Sequence, residues 1–370
     1  MRNFKLTLIF SLILILLGSF ILECKKETKV IKIGAILPLT GEKALYGEKS
    51  KRGLELALED IKKEMPNLRL EILYEDSKFD VKEAVSIYQK LKSIHNIPVV
   101  ITLSSEVSMA IAPLANSDKI LQMAIVASTP KYTSPGDFTF RTTPRAEIED
   151  KELAKAIVPR YKKIGLLYNN NERGVGHRDA IKPEIEKLGG EIVVEEAISP
   201  EAADYRNNLL KIKQKNPEAV CLFTEAKNIG IILKQAKELG IKTQFFGTRS
   251  AESKEILSIA GEAAEGLIYT FAFDPNSSDS LVRAVVERYR RKYGENPDYV
   301  VAEAYDALKL IAKCLYKCGP NPEKMKNELF GTKNYKGLSG ILTFDENGDI
   351  YYLYHLKIIK NGQFVRYEEQ

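Results

Sequence analysis

Three serines stand where hydroxyl groups could hold an anion. Ser104 and Ser105 follow the apolar run Ile97 to Leu103 and precede a stretch of helical character, and Ser128 follows the next apolar run, Leu121 to Ala127. A helix N-terminus presents unpaired backbone amides and the positive end of its dipole, so a hydroxyl pair at that point suits a carboxylate or similar group. Ser104 is equally well placed to be a plain helix cap. Covalent chemistry finds less support. The three histidines, His95, His177 and His355, lie far apart without metal-ligand spacing and read as surface or loop residues. No G-x-S-x-G elbow, phosphate-binding loop or dinucleotide glycine spacing occurs, so neither a catalytic motif nor a cofactor motif is present. Asp345, Asn347 and Asp349 open like a calcium loop, but Ile350 replaces the glycine that the sixth position needs and Leu356 the glutamate of the twelfth.

The elements that must position these serines alternate between strand and helix. Strands are expected at 30–37, 69–74, 97–103, 121–127, 163–168, 191–195, 219–223, 243–247 and 266–271. Helices are expected at 80–94, 147–161, 173–188, 228–239, 278–293 and 300–316. An earlier helix after the turn TGEKALYGE carries the apolar stripe Leu54, Ala57, Leu58, Ile61 and Met65. This alternation predicts parallel sheets covered on both faces, and open sheets of that kind bind ligands beyond the carboxyl ends of their strands. Towards the end, ILTFDENGDIYYLYHLKII reads as two strands joined in a hairpin at Asn347-Gly348.

Length and charge bound the rest. A chain of 370 residues is too long for one core and fits two compact units. The net charge of +5 is spread among interspersed acids and bases with no aromatic-basic stripe, so no nucleic-acid partner is implied. Residues 1–23 combine Arg2 and Lys5 with the apolar stretch Leu6 to Leu17 and read as an export signal. Cys24, followed by the charged 25–29 tether, resembles the bacterial lipoprotein site whose cysteine is lipidated, with Glu23 where that site usually has a small residue. An uncleaved anchor and a cleaved soluble form are the alternatives, and all three place the domain outside the cytoplasmic membrane. The other cysteines are Cys221, in a strand-like run, and Cys314 and Cys318, one helical turn apart; an odd number cannot all pair, and a link between the last two would constrain almost nothing.

Several segments resemble the extracytoplasmic branched-chain amino-acid-binding proteins of ABC importers, which have the type I periplasmic-binding fold. They are Pro38-Leu39-Thr40-Gly41, Tyr46-Gly47, Gly53, Leu56-Ala57, Ser104-Ser105 through Ala112-Pro113, Phe140-Arg141-Thr142-Thr143-Pro144 and Leu239 through Phe245. Ala263-Ala264-Glu265-Gly266-Leu267, Ala304 through Leu308 and Leu342 through Asp349 follow in order, so the likeness spans nearly the whole mature chain. It implies two doubly wound α/β lobes joined by three hinge crossings near Thr142, Phe273 and Phe344. Lobe 1 would comprise residues 30–146 and 275–343, and lobe 2 residues 147–274 and 344–370. The lobes would shut on a small solute and deliver it to an importer permease.

By the same resemblance, Ser104, Ser105 and Ser128 would offer hydroxyls and amides from lobe 1. Arg173, Glu225 and Arg249 would face them from lobe 2, with Tyr46 either an aromatic wall or an exposed residue beside the turn. The chain departs from the family where Arg173 replaces a tyrosine and where Arg249 stands in place of the acid that receives a ligand ammonium. A cation there would repel an ammonium, which argues against an ordinary branched-chain amino acid. Arg249, and with it Arg173, would then bind a carboxylate; otherwise Arg249 pairs with Glu225 or faces solvent. The expected role is capture of a small polar solute, amino-acid-like or carboxylate-bearing. A sensing module working through a separate signalling partner is the alternative, because the chain stops at Gln370 soon after the hairpin without a signalling segment.

Overall fold

The computed structural model describes residues 30–352 and 354–367; the leader, Cys24 and the tether lie outside them. The first part of the chain runs β1 (Ile31–Leu37), α1 (Ala44–Glu64), β2 (Leu70–Asp76), α2 (Val81–His95), β3 (Val99–Leu103), α3 (Ser105–Asp118), β4 (Leu121–Ile125) and β5 (Thr139–Arg141). Its five strands form one parallel sheet in the order β2-β1-β3-β4-β5. The short β1 shows why such a strand reads as an unbroken apolar run. Ile33, Ala35 and Leu37 enter one core cluster and Ile36 the cluster on the opposite face, so both sides of the strand are buried.

The chain then enters a second sheet through α4 (Ala146–Ile157), β6 (Lys163–Asn169), α5 (Glu172–Lys187), β7 (Glu191–Ile198), α6 (Arg206–Lys215), β8 (Ala219–Phe223), α7 (Ala226–Glu238), β9 (Gln244–Gly247), α8 (Lys254–Ala260) and β10 (Ile268–Phe271). Strand β8 repeats the two-sided burial: Val220 and Leu222 serve one cluster, Ala219, Cys221 and Phe223 the other. After β10 the chain returns to the first sheet as α9 (Ser280–Tyr293), α10 (Tyr299–Cys318) and α11 (Pro322–Phe330), which share the core of β1, β3 and β4. The short β11 (Tyr335–Lys336) and β12 (Ile341–Leu342) pair with each other. Finally β13 (His355–Lys360) and β14 (Gln363–Arg366) complete the second sheet, ordered β14-β13-β10-β9-β8-β6-β7, with the last two strands antiparallel to their neighbours. The architecture is the two-sheet α/β arrangement expected.

The expected hairpin at Asn347-Gly348 is not a strand pair. Only one bridge, Phe344 to Ile350, spans the turn, because the two flanking runs have other partners: Ile341–Leu342 joins β11, and β13 joins β10. Phe344, Ile350, Tyr352 and Tyr354 instead pack into the core of the first sheet. Asp345 fixes the turn by accepting from the amides of Asn347 and Asp349. Asp349 is drawn inward to Arg141, whose Nε lies 2.5 Å from its Oδ1 with both side chains buried. Cys221, Cys314 and Cys318 are free thiols, and the Cys318 Sγ donates to the Cys314 carbonyl at 2.9 Å. Among the described residues no helix is long and apolar enough to cross a membrane.

Candidate functional site

A narrow cleft lies between the two sheets at the carboxyl ends of β3 and β4. Its first wall carries Lys43, Tyr46, Phe79, Ser104, Glu106 and Tyr299, and its second wall carries Arg173, Glu225 and Ser250. The space left inside is about 30 Å³, room for a water or so but not for an organic solute. Backbone geometry marks the place. Ser104 and Val126, each following a strand and each lining the cleft, have φ of 85° and 54°. For a β-branched residue such as Val126 this left-handed conformation is costly and must be imposed by its surroundings. In it the Val126 amide donates to Glu303 at 3.0 Å, while the Ser104 amide donates to the Ile125 carbonyl.

Ser104 is the helix cap that its position suggested. Its Oγ caps α3 by accepting from the Val107 amide at 3.3 Å, and it faces the cleft. Tyr46, in the first turn of α1, is half-buried against the cleft rather than exposed. Arg173 projects from the first turn of α5, where Asn171 caps the helix through the Gly174 amide. No larger residue fits at 174, since a Cβ there would lie 2.1 Å from the Asn169 carbonyl oxygen. The Arg173 Nη2 donates to Ser250 Oγ at 2.5 Å and to Thr248 Oγ1 at 3.2 Å. Glu225 is fixed by Asn169 Nδ2 and reaches Lys43 of the opposite wall at 3.8 Å. Burial opposes the Glu225 charge, but Lys43 and Arg173 outweigh it and hold the carboxyl below its ordinary range.

Ser105 and Ser128 do not line this cleft, and Arg249 lines a neighbouring cavity of about 590 Å³ that shares Tyr299 with it. Ser105 Oγ accepts from the Thr129 amide at 3.3 Å. The expected alternative of an Arg249–Glu225 pair, or of a solvent-facing Arg249, is not what forms. Arg249 is 2% exposed and binds Glu149, with its amide on one carboxylate oxygen and Nη1 on the other, and Nη1 also donates to the Tyr354 hydroxyl at 2.6 Å. Glu149 sits on α4, a hundred positions away, which no local pattern reveals. Ser128 is wholly buried and its Oγ lies 3.1 Å from Nε2 of His177, whose Nδ1 lies 3.0 Å from Asp150.

His177 thus departs from its expected surface placement: α5 turns it inward, stacked on Phe223 at 5.3 Å. A serine, a histidine and an acid in this order have the connectivity of a nucleophile, its base and an orienting carboxylate. Here all three are sealed from solvent, so the line joins the β4 side of the molecule to α5 and α4. Burial, with Arg173 and Arg249 adding to it, lowers the proton affinity of His177 well below normal, and burial pushes the Asp150 carboxyl up. Sequence reasoning missed Lys43, Glu106 and Tyr299 as cleft residues; only the Ser104-Ser105-Glu106 adjacency hinted at one of them.

The profile of the family described as periplasmic binding protein matches residues 30–351. The leucine-, isoleucine-, valine-, threonine- and alanine-binding protein of Pseudomonas aeruginosa is 29% identical over 346 residues, covering 91% of this chain and 89% of its own length. The crystal structure of a leucine-binding protein from Thermotoga maritima superposes with a TM-score of 0.84 at 26% identity, over 91% of this chain and 98% of that one. The fold recurs at 21% identity and a TM-score of 0.80 in a solute-binding protein of Rhodopseudomonas palustris crystallised with 3,4-dihydroxybenzoic acid, covering 91% of this chain and 95% of the other. Each of these relatives is described by the solute it binds or as a solute-binding protein. By its sequence over most of its length, and by a two-sheet fold with a cleft between the sheets, this chain belongs to the periplasmic binding protein family.

Proposed function

We propose that the protein is the solute-binding component of an ABC importer, that it captures a small amino-acid-like or carboxylate-bearing solute between its lobes, and that it is held to the membrane by lipid at Cys24. On this reading residues 30–146 with 275–343 and residues 147–274 with the strands from His355 onward move as the two lobes, and the segment from Phe344 to Tyr354, expected in the second lobe, moves with the first because Phe344, Ile350, Tyr352 and Tyr354 pack into its core. The observation that supports it best is that the walls of the cleft come from different sheets and already touch through charge. Lys43 reaches Glu225 at 3.8 Å and Glu42 reaches Lys227 at 3.3 Å. A cleft with room for about one water in this state must open to admit a solute, and contacts made with both walls only when shut shift the balance back to closure. The relatives that bind leucine and similar amino acids support the solute class, and the Rhodopseudomonas palustris protein, described as the solute-binding protein of an ABC transporter, supports the permease partner.

Thermal-shift screening of the mature chain against amino acids, dicarboxylates, amides and aromatic acids tests the reading. A true solute at a hundredfold excess over its Kd stabilises the folded state by about 2.7 kcal/mol. Failure of every class to raise the melting midpoint overturns the capture function. Metabolic labelling with a fatty-acid probe, lost in Cys24→Ala, tests the tether separately.

A further inference from the structure

The first sheet has a second recess, at the opposite end of its strands from the cleft. It lies where the chain enters β1, β3 and β4, with Ile31, Pro98 and Ile120 in its lining, and it measures about 560 Å³. The last turns of α2 and α3, with the residues that cap them, place Lys92, Ile94, His95 and Lys119 around it. Val30, the first described residue, belongs to the same lining. Ile94 is 68% exposed and Val30 44%, so two large apolar side chains meet solvent beside a group of cations. Helix geometry accounts for the cations, since the carboxyl end of a helix favours positive charge. It does not account for an isoleucine standing in solvent in the last turn of α2.

We infer, on the reading that Cys24 carries a lipid, that this recess is the face on which the protein rests against an anionic bilayer surface, with Lys32, Lys92 and Lys119 among phospholipid headgroups and Ile94 at their boundary with the acyl chains. Chain length requires the proximity. Cys24 and Val30 are six residue steps apart in the sequence, and at no more than about 3.5 Å each these span about 20 Å. The edge of the first sheet that holds Val30 therefore stays within that distance of the membrane, whatever path the tether takes.

Charge complementarity selects the kind of surface. Lys32, Lys92 and Lys119 set three positive charges on the recess, against Asp118 as the one acid in its lining. Lys32 has no ion-pair partner among the described residues, while Lys92 pairs with Asp118 and Lys119 with Glu323. Those two pairs are partly exposed, so they contribute little to the fold and yield readily to a headgroup. The tether, Lys25-Lys26-Glu27-Thr28-Lys29, adds a surplus of two positive charges to the sequence between Cys24 and the recess. A lipid anchor joined to a basic patch is the combination that holds a protein stably at a bilayer. The cleft lies at the other ends of β3 and β4, about 16 Å away for strands of five residues, so a bilayer at the recess leaves it free.

The chain contains no tryptophan, so a single introduced one reports its own surroundings. Ile94→Trp on the recess and Leu210→Trp on α6, at a residue 43% exposed, are each made in the mature chain with Cys24→Ala, which removes the lipid and keeps the tether. Each is mixed with vesicles of phosphatidylglycerol and phosphatidylcholine, or of phosphatidylcholine alone, containing a brominated lipid as quencher. The fluorescence of Ile94→Trp should shift to the blue and be quenched on the anionic vesicles only, and that of Leu210→Trp on neither. Adding Lys32→Gln and Lys119→Gln to Ile94→Trp should weaken vesicle binding about fivefold for each charge removed. Lys211→Gln and Lys215→Gln on α6 change the net charge equally and should leave binding as it was.

Quenching of both variants, of neither, or equally on neutral vesicles overturns the inference. An equal loss from the α6 lysines also overturns it, because adhesion would then follow net charge alone. A concentration-dependent dimer broken by Ile94→Ser, without vesicle binding, would give the recess to a second copy of the chain and likewise overturns it. The lipid reading is judged separately by the fatty-acid label. Labelling without quenching keeps the anchor and removes the docking face, whereas quenching without labelling keeps the face and removes the anchor.

Discussion

Arg249 and Glu149 form an ion pair of 3.0 Å with neither side chain more than 2% exposed. The pair ties the turn after β9 to α4, the helix that first carries the chain into the second sheet, and Glu303 of α10 stands 3.9 Å from its Nε. Removing one partner strands the other in the interior. Arg249→Ala should therefore lower the unfolding free energy of the solute-free protein by about 3–5 kcal/mol, read as a fall in the urea midpoint. An unchanged midpoint would show that the pair is not structural. Replacing both partners by Arg249→Met and Glu149→Leu should recover much of the loss.

His177 makes the protein sensitive to acid. Its proton affinity is depressed in the folded state by burial and by Arg173 and Arg249, so protonation favours any state in which it is released. The stabilisation is complete above the ordinary value of 6.5 and is lost as pH falls below it. Asp306, pushed up to about 6 by burial, has the opposite slope, so the readout is the difference between proteins. Between pH 7 and 5 the urea midpoint of the wild type should fall further than that of His177→Gln, which keeps a polar side chain without titrating. Parallel curves would assign the acid response elsewhere.

The charge contacts across the cleft are partly exposed, and each contributes little, roughly 0.2–1 kcal/mol. Lys43→Met should leave the folded state intact yet shift the solute-free ensemble towards the open form. In X-ray scattering the radius of gyration should rise relative to the wild type, and high salt should reproduce part of the change by screening. A solute-free radius insensitive to both would mean that other contacts keep the lobes shut.

At Gly53 two effects of opposite sign compete. Glycine within α1 costs about 1 kcal/mol relative to alanine by propensity, so Gly53→Ala would stabilise an isolated helix. In the fold, a Cβ at 53 would lie 2.4 Å from the Val301 carbonyl oxygen of α10 and 3.0 Å from the Ala304 Cβ. Backbone cannot yield as a flexible side chain does, and the clash should win by about 1–3 kcal/mol. A melting midpoint at or above that of the wild type would show that α1 and α10 separate readily.

Much of the architecture is legible without coordinates because its causes are local. Unbroken apolar runs such as Ile31–Leu37 and Ala219–Phe223 follow from strands buried on both faces. The stripe on α1 follows from helical periodicity, and the placing of Ser104 at a strand end and a helix start follows from where open sheets leave their backbone groups. Those features located the cleft and put Ser104 on its wall, whereas Tyr46, Arg173 and Glu225 were named through the resemblance to the periplasmic binding proteins. Partner choice was not legible. Arg249 meets Glu149, and His177 meets Asp150 and Ser128, because parallel sheets bring together residues far apart in the chain. Which polar groups are satisfied inside the fold, and which remain for a ligand, depends on that convergence, and only the tertiary structure decides it.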